Sequence, residues 1–322
     1  LAIVFSALIL SGWINIYIAL VLTFIFGAVE SMGQPARMSA VHALVAQRDL
    51  SSAIALGSAS FNASRIIGPG IAGALIVWTN TGVVIGLCAF TFGAFWLILR
   101  KMDFGSGGSG GKKSPSALLE DIRAGIVYAF THPGLRFVFV LLAATSFFIR
   151  PVIELMPGIS ARVFDAGPAG LSLLLSAIGA GALIASLWLA RRGQTEGLTK
   201  LLVFSTSLTG VALMLAMQFK TIWFAAFFLS IMGAAMLSGN VSAQTLVQNS
   251  VESHMRARVM SLFIVFAYGL PALGAVLMGW IANTAGLQMT IGGGALFMLL
   301  FWVWGRPQQA AMSSRLEGPA GK

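Results

Sequence analysis

Four charged side chains lie inside long apolar runs of the sequence, and their types could carry functional chemistry. They are Glu30, Arg65, Arg150 and Glu154. A charge inside the hydrocarbon core of a membrane is costly, so such a residue pairs with another group or marks a pathway for a solute or a proton. We therefore expect the functional chemistry of this chain to involve these four residues.

Glu30 and Arg65 are expected at similar depths in two antiparallel helices that follow one another along the chain. An acidic and a basic group at the same depth can form an ion pair or lie close together. The carboxyl group of Glu30 could then bind and release protons during transport. The alternative is a static Glu30–Arg65 ion pair that only fixes helix packing.

Arg150 and Glu154 lie four residues apart in another apolar run. This spacing places them on one face of a helix in spite of Pro151 between them. Both are expected in the outer half of the membrane. Their functional interpretation is an external gate or a contact with substrate. The alternative is a pair of side chains whose charged ends extend to the outer membrane interface.

Asn240 and Gln244 form a second pair at helical spacing, within a run that also carries Ser238 and Ser242. Their amide groups could face a polar cavity and contact substrate. Hydrogen bonds between neighbouring helices explain the same residues equally well.

Residue types that bind metals or act as nucleophiles are scattered along the chain. His42, His132 and His254 form no H-x-x-x-H pair, and Cys88 is the single cysteine. This spacing predicts no metal site and gives no basis for a Ser-His-Asp triad. We therefore expect no metal, no cofactor and no enzymatic activity.

Long apolar segments must position these residues. Of 322 residues, 57% are hydrophobic and 9% are charged, against about 25% charged in an ordinary soluble domain. Ten segments are apparent, at about 1–11, 14–36, 52–78, 81–100, 136–158, 168–190, 199–219, 222–248, 258–283 and 288–305. Most reach the roughly 20 residues that span a membrane, and backbone in hydrocarbon must bond within its own segment. The composition therefore predicts transmembrane helices and argues against a cytosolic enzyme.

The distribution of basic residues predicts the orientation of these helices. When the polar breaks are taken alternately, one set holds 16 Lys and Arg residues and the other holds 2. Cytoplasmic loops carry the excess of basic residues, so the first set and the C-terminus are predicted to be cytoplasmic. The net charge of +10 then describes a basic inner membrane face near anionic lipid, rather than a surface that binds nucleic acid.

The longest polar break, residues 101–135, divides the segments into four and six. It opens with GSGGSGGKKSPS, which is typical of a flexible linker. The phosphate-loop pattern would need Gly at 106 and Ser or Thr at 113, where this chain has Ser106 and Lys113. Ala117–Phe130 is predicted to be an amphipathic helix on the inner membrane surface.

A weak internal repeat relates the two parts of the chain. The stretch from Ser39, followed by GPGIAGAL, is echoed about 200 residues later by SAQTLVQNS and its continuation, followed by LPALGAVL. In both copies a polar-faced helix ends in a turn with Arg, and the next helix carries Pro and small residues. Duplicated halves are typical of transporters built around a central site.

Three stretches carry a resemblance to the major facilitator superfamily. They are Gln34–Gly73, Thr131–Phe137 and Met255–Leu262. The chain looks closest to the bacterial branch that includes the enterobactin exporter and macrolide-efflux-like proteins. The resemblance implies an all-α fold of two six-helix halves, with family helices 1 and 2 and half of helix 3 missing here.

The resemblance also implies the domain organisation. Residues 1–100 would form a truncated N-terminal half with family helices 3 to 6, and residues 101–135 a cytoplasmic linker. Residues 136–308 would form the C-terminal half with family helices 7 to 12, and residues 309–322 a cytoplasmic tail. The first apolar run, Leu1–Gly12, is about half the spanning length, which fits a chain truncated within a helix.

A further motif, Ser64-x-x-x-Gly68-Pro69-x-x-Ala72-Gly73, resembles the exporter signature G-x-x-x-G-P-x-x-G-G of family helix 5. Ser and Ala replace two of its glycines. By resemblance, Gly68, Pro69 and Gly73 would form a conformational seam that seals one end of a cavity while the other opens. Close helix packing through small residues is the alternative.

Together these features predict a monomeric, multi-pass transporter of the bacterial inner membrane, embedded in the lipid bilayer. We expect proton-coupled export of a small organic molecule, siderophore-like or drug-like, by alternating access. The alternatives are a non-transporting membrane protein, such as a sensor or a complex subunit, and a membrane-embedded enzyme. Clustered catalytic polar groups, which the enzyme would need, are not found in the sequence.

Overall fold

The structure is a computed structural model that describes residues 1–45, 78–102, 115–192 and 196–317, with isolated positions between 56 and 76. Every regular element among these residues is helical, as predicted. In chain order the helices are α1 (Ala2–Leu10), α2 (Ile16–Leu44), α3 (Thr81–Arg100), α4 (Pro115–Thr131), α5 (Pro133–Phe148), α6 (Pro151–Glu154), α7 (Met156–Arg162), α8 (Gly167–Arg192), α9 (Leu198–Gln218), α10 (Ile222–Ser250), α11 (Ser253–Ile264), α12 (Leu270–Ala285), α13 (Leu287–Gly305) and α14 (Gln309–Leu316).

Seven helical stretches in the described part of the chain are long and apolar enough to cross a membrane. They are Thr81–Arg100, Pro133–Glu154, Gly167–Arg192, Leu198–Gln218, Ile222–Ser250, Arg258–Ala285 and Leu287–Gly305. Each matches a predicted apolar segment to within a few residues. The predicted segment 52–78 lies largely outside the described residues.

Short polar side chains and proline mark the first residues of several helices. The Asn15 side chain accepts a hydrogen bond from the Ile18 backbone N–H at 2.9 Å, and the Asn80 side chain accepts one from Val83 at 3.0 Å. Each occupies a helix N-terminal N–H that would otherwise lack a partner. His132 does the same for α5, where Pro133 occupies the first turn.

The chain divides into two compact units, Leu1–Gly111 and Lys112–Lys322. In the first unit α1 packs against the start of α3. The hydroxyl of Ser6 donates to the carbonyl oxygen of Gly82 at 2.7 Å, and a Cβ at Gly82 would lie 2.9 Å from Leu10 Cγ. The small residue at 82 therefore allows the two helices to approach closely.

In the second unit glycines again mark the closest helix crossings. A Cβ at Gly233 of α10 would overlap the backbone carbonyl of Ile178, and one at Gly181 of α8 would overlap that of Ser230. The two contacts are reciprocal across the α8–α10 crossing. Glycine thus allows backbone-to-backbone packing, which replaces hydrophobic burial as the source of helix association in a bilayer.

Two stretches predicted as continuous helices are interrupted. The predicted run 136–158 is divided into α5, α6 and α7, because Pro151 has no N–H and ends the regular hydrogen bonding of α5. The carbonyl of Thr145 accepts from both Ile149 and Arg150, at 3.0 and 3.1 Å. A π-helical turn, Val265–Gly269, likewise separates α11 from α12.

The predicted amphipathic helix of the linker is present as α4. Its Gly125 lies against the backbone of Arg258, where a Cβ would be 3.1 Å from the carbonyl oxygen, and Ala129 is fully buried. Ile126 and Val127 remain exposed, at 41% and 53%. One side of the helix therefore packs on α11, and its apolar exposed side is available to lipid.

The C-terminal segment docks against the ends of other helices of the second unit. The Glu317 carboxylate accepts hydrogen bonds from the backbone N–H groups of Gly197 and Thr199, both at 2.6 Å, and so caps α9. Leu316 is 3% exposed, and its carbonyl accepts a hydrogen bond from Ser250 at the end of α10.

Candidate functional site

A cavity that carries several polar side chains on a largely apolar lining lies within the second unit among α5, α9 and α10. It has about 360 Å³ of empty space, its open mouth included. The lining residues are Leu142, Thr145, Ser146, Arg150, Leu202, Ser205, Thr206, Thr209, Ala235, Met236, Gly239, Asn240 and Ala243. They include one guanidinium, several hydroxyls and an amide. Such convergence of polar groups in an apolar helical bundle is typical of a binding site.

Arg150 connects three elements at this cavity. Its guanidinium donates to the backbone carbonyl of Ala267 at 2.5 Å and to the Asn240 side-chain oxygen at 3.3 Å. The guanidinium carbon also lies 5.3 Å from the centre of the Tyr268 ring, within the range of a cation–π contact. Specific polar and aromatic contacts therefore hold the charge in place.

Proline and the π-helical turn explain why Ala267 accepts this hydrogen bond. Pro271 lacks the N–H that would donate to the carbonyl four residues earlier, which is that of Ala267. The turn Val265–Gly269 lies at the same place, and such turns are frequent at functional sites. A helix irregularity thus supplies the acceptor that orients Arg150.

Threonine hydroxyls around the cavity use their hydrogens on their own helices. Thr145 donates to Leu141 at 3.0 Å, and Thr206 and Thr209 donate to the carbonyls four residues earlier at 3.0 and 2.7 Å. Their oxygens remain acceptors. The hydroxyl of Ser146 is fully buried and has no partner in the described structure, a situation that costs about 1–3 kcal/mol unless a ligand or water satisfies it.

The structure brings together two of the residues singled out in the sequence, Arg150 and Asn240. Gln244 is half-buried and does not line the cavity. Glu154 is exposed and does not line the cavity. The Arg150 guanidinium donates to Ala267 and Asn240.

Glu30 belongs to the first unit, and the seam residues lie in the same part of the chain. Glu30 is half-buried at the middle of α2, since that helix continues to Leu44. Arg65, Pro69 and Gly73 lie outside the described residues. Gly68 is in a helical, exposed position with no described atom within 4 Å of a Cβ built on it.

Sequence reasoning missed the hydroxyl-bearing side of the cavity. Ser205, Thr206 and Thr209 of α9 lie at helical spacing, and Ser146 is next to Thr145 on α5. This spacing was the available signal, but hydroxyl residues are common in membrane helices and most only bond their own backbone. The described part of the chain holds no cluster of three His, Cys, Asp or Glu side chains that could bind a metal.

Comparisons with known proteins agree with an all-helical transporter fold. A family model described as a transmembrane secretion effector matches residues 1–309. The fold is similar to that of a bacterial homologue of the human lysosomal transporter Spinster, in an inward-facing, unoccupied conformation. The TM-score is 0.53 at 14% identity, and the match covers 89% of this chain and 76% of that one. No curated protein sequence matches the chain. The chain belongs to the transmembrane secretion effector family of the major facilitator superfamily and is a multi-pass membrane transporter.

Proposed function

We propose that the protein exports a small organic molecule, siderophore-like or drug-like, by alternating access of two helical halves, and that it resembles the enterobactin-exporter branch. The observation that carries this proposal is the contact of Arg150 with Asn240 and Ala267 at the cavity among α5, α9 and α10. A charged side chain inside an apolar helical bundle costs free energy. A role in solute binding would explain why such a residue is present.

Helix breaks beside this contact support the alternating-access part of the proposal. Pro151 follows Arg150 directly, and the π-helical turn Val265–Gly269 supplies the carbonyl that Arg150 binds. Discontinuous helices form the substrate and ion sites of many transporters, because backbone groups freed from helical bonding can bind a solute. Rearrangement at these two breaks would move Arg150 relative to the cavity.

Proton coupling through Glu30 is the second part of the proposal. Glu30 is an acid half-way along α2, at the end of the apolar stretch Ile16–Glu30, and membrane carboxylates commonly serve as proton relays. Its proposed partner is Arg65. Binding of a proton on one side and release on the other would drive export against a substrate gradient. The same proposal places the protein in the bacterial inner membrane as a monomer, with a cytoplasmic C-terminus.

The test uses inverted membrane vesicles that contain the full-length protein, with the dye Hoechst 33342 as a drug-like probe. We expect dye uptake that depends on an imposed pH gradient and disappears when the gradient is collapsed. Glu30→Gln should remove the dependence on the gradient, because an amide cannot carry the proton. Glu196→Gln, at an exposed position, is the control and should transport as wild type. Undiminished, gradient-dependent uptake by Glu30→Gln would contradict the coupling role.

A further inference from the structure

Three of the membrane-crossing helices in the described part of the chain carry the same short pattern, Trp-x-x-x-Arg, at their C-terminal ends. These Trp–Arg pairs are Trp96–Arg100 on α3, Trp188–Arg192 on α8 and Trp302–Arg306 on α13. In each pair the guanidinium carbon lies over the indole ring, at 4.9, 5.6 and 5.3 Å from the ring centre. The spacing of four residues places both side chains on one helix face, and the distances are within the range of a cation–π contact.

The two Trp–Arg pairs of the second unit lie at the same end of that unit. Arg192 donates to the backbone carbonyl of Glu196 at 2.6 Å, next to the cap that Glu317 provides for α9. Arg306 directly precedes α14, and α14 leads to the same Glu317. The orientation predicted from the basic residues places this end of the second unit, and the C-terminal end of α3 in the first unit, at the cytoplasmic face.

In the described part of the chain, tryptophans at the opposite helix ends lack such an arginine. They are Trp13 and Trp78 in the first unit and Trp223 and Trp280 in the second, with exposed fractions between 69% and 81%. No arginine lies over any of these four rings among the residues that the structure describes. Tryptophan alone is expected at both membrane interfaces, because its ring is amphipathic. A stacked arginine at one interface only therefore indicates a difference in what that interface binds.

A stacked guanidinium keeps its hydrogen-bonding edge available. The ring covers one flat face of the guanidinium, whereas the N–H groups point outward in its plane. Arg100 and Arg306 are exposed, and Arg192, which is half-buried, uses one nitrogen for Glu196. Attraction of a cation to the C-terminal end of a helix dipole explains a charge at these positions. A lysine would serve that purpose equally well, and no ring would be needed.

We propose that the Trp–Arg pairs bind the phosphate groups of anionic phospholipids in the leaflet at this face. The guanidinium edge matches two oxygens of one phosphate, while the indole ring lies at the depth of the headgroups. Neighbouring cations add to the attraction, since Lys101 follows Arg100 and Arg191 precedes Arg192. In a zwitterionic lipid such as phosphatidylcholine, the choline cation offsets the phosphate charge. This binding is independent of the proposed function and is measurable without transport.

The experiment reconstitutes the purified full-length protein into vesicles of phosphatidylcholine that contain increasing fractions of phosphatidylglycerol. Either lipid in its dibrominated form quenches tryptophan fluorescence, and the two titrations give the relative affinity of the protein for the two lipids. We expect a preference for phosphatidylglycerol of about two- to fivefold. Soluble sn-glycerol 3-phosphate at millimolar concentration should not compete, because it lacks the acyl chains that keep a phosphate at the interface.

Arginine substitutions test the Trp–Arg pairs and leave every tryptophan in place as the reporter. Arg100→Gln, Arg192→Gln and Arg306→Gln together should abolish the preference. Each single substitution should remove part of it, so the single variants decide the matter if the triple variant does not fold. Lysine at the same three positions should retain only part of the preference, because an ammonium keeps the charge but cannot bind a phosphate through two parallel hydrogen bonds.

The matched control removes the same net charge from exposed positions that form no Trp–Arg pair. It combines Arg162→Gln, Lys200→Gln and Lys220→Gln and should keep the wild-type preference. Equal affinity of the wild-type protein for the two lipids would overturn the proposal. An equal loss in the control, full retention by the lysine variant, or competition by sn-glycerol 3-phosphate would overturn it as well.

Discussion

Arg150 is central to the proposed transport site, and its contacts depend on the geometry of the guanidinium group. Two of its nitrogens donate in different directions, to Ala267 on one helix and to Asn240 on another. A lysine has the same charge but a single ammonium on a flexible stem, and cannot reproduce this fork. We therefore do not expect a positive charge without the guanidinium geometry to support transport at this position.

We predict that Arg150→Lys lowers the rate of dye transport by about 10- to 100-fold, since it removes at least one hydrogen bond to a charged group. Arg150→Gln should reduce transport to background. Arg162→Lys, at an exposed position, is the control. Initial rates in vesicles, corrected for the amount of protein, provide the measurement. A fully active Arg150→Lys protein would show that only the charge matters.

At the residue scale the sequence singled out charges and amides but not hydroxyls. Arg150 and Asn240 stood out because a charge and an amide are unusual in apolar runs, and both line the cavity. Ser146 and Thr209 did not, because a hydroxyl can bond its own helix and so carries no signal of position. The carbonyl that orients Arg150 is that of Ala267, which lies more than a hundred residues away in the chain.

At the scale of secondary-structure elements, glycines mark the places where two helices cross most closely. Gly233 of α10 lies against the backbone of Ile178 on α8, where no side chain can move aside. Gly292 of α13 is also helical but has no atom within 4 Å of a Cβ position. The two glycines differ in surroundings rather than in backbone conformation, which makes them a matched pair.

Gly233→Ala is predicted to destabilise the protein by about 1–3 kcal/mol, because the added methyl group forces α8 and α10 apart. Gly292→Ala should be neutral or slightly stabilising, since alanine is the better helix former. Thermal unfolding of both variants in detergent checks the difference. Equal midpoints for the two variants would mean that the α8–α10 crossing is looser than described.

The C-terminal cap of α9 leads to a pH-dependent prediction. Partial burial would raise the pKa of the Glu317 carboxyl, but hydrogen bonds from Thr199, Gly197 and Ser313 outweigh this and lower its pKa below 4.5. The carboxylate therefore contributes stability that is fully present above pH 4.5 and is lost as the pH falls through the lowered pKa. The tail and α9 should separate only under acidic conditions.

We predict that Glu317→Gln lowers the unfolding midpoint at pH 7 by a few degrees, since a lost helix cap costs about 1 kcal/mol. The difference from wild type should shrink as the pH falls below 4.5. Glu196→Gln, which removes an exposed acid on the preceding turn, is the control and should leave the midpoint unchanged. A constant difference between Glu317→Gln and wild type at all pH values would contradict the ionised cap.

Element boundaries were predictable where local chemistry marks them. The segment 81–100 coincides with α3 because Asn80 caps its start and charged residues follow its end. The break of the segment 136–158 was not predicted. Pro151 was visible in the sequence, but proline in a membrane helix can bend it or end it, and packing decides which. The freed Phe147 carbonyl lies against Gly274 of α12, a contact between residues distant in the chain.

At the scale of the whole molecule, hydropathy and charge predicted the class of protein. Backbone groups in hydrocarbon must bond within their own helix, so apolar length alone indicates helices, and the family match over residues 1–309 agrees. The identities of the substrate and of the coupling ion cannot be predicted from hydropathy and charge in this way. They depend on a few side chains whose mutual positions come from long-range packing, as the cavity around Arg150 shows.

The central claim is that the full-length protein itself moves a small organic molecule across a membrane, rather than acting as a sensor or as a subunit of a complex. The most direct test reconstitutes the purified full-length protein into liposomes and imposes a pH gradient across the vesicle membrane. The account predicts that Hoechst 33342 accumulates against its gradient, and that Arg150→Gln reduces this to the level of empty liposomes. Dye movement by the wild-type protein no faster than in empty liposomes, with the protein correctly folded, would contradict it.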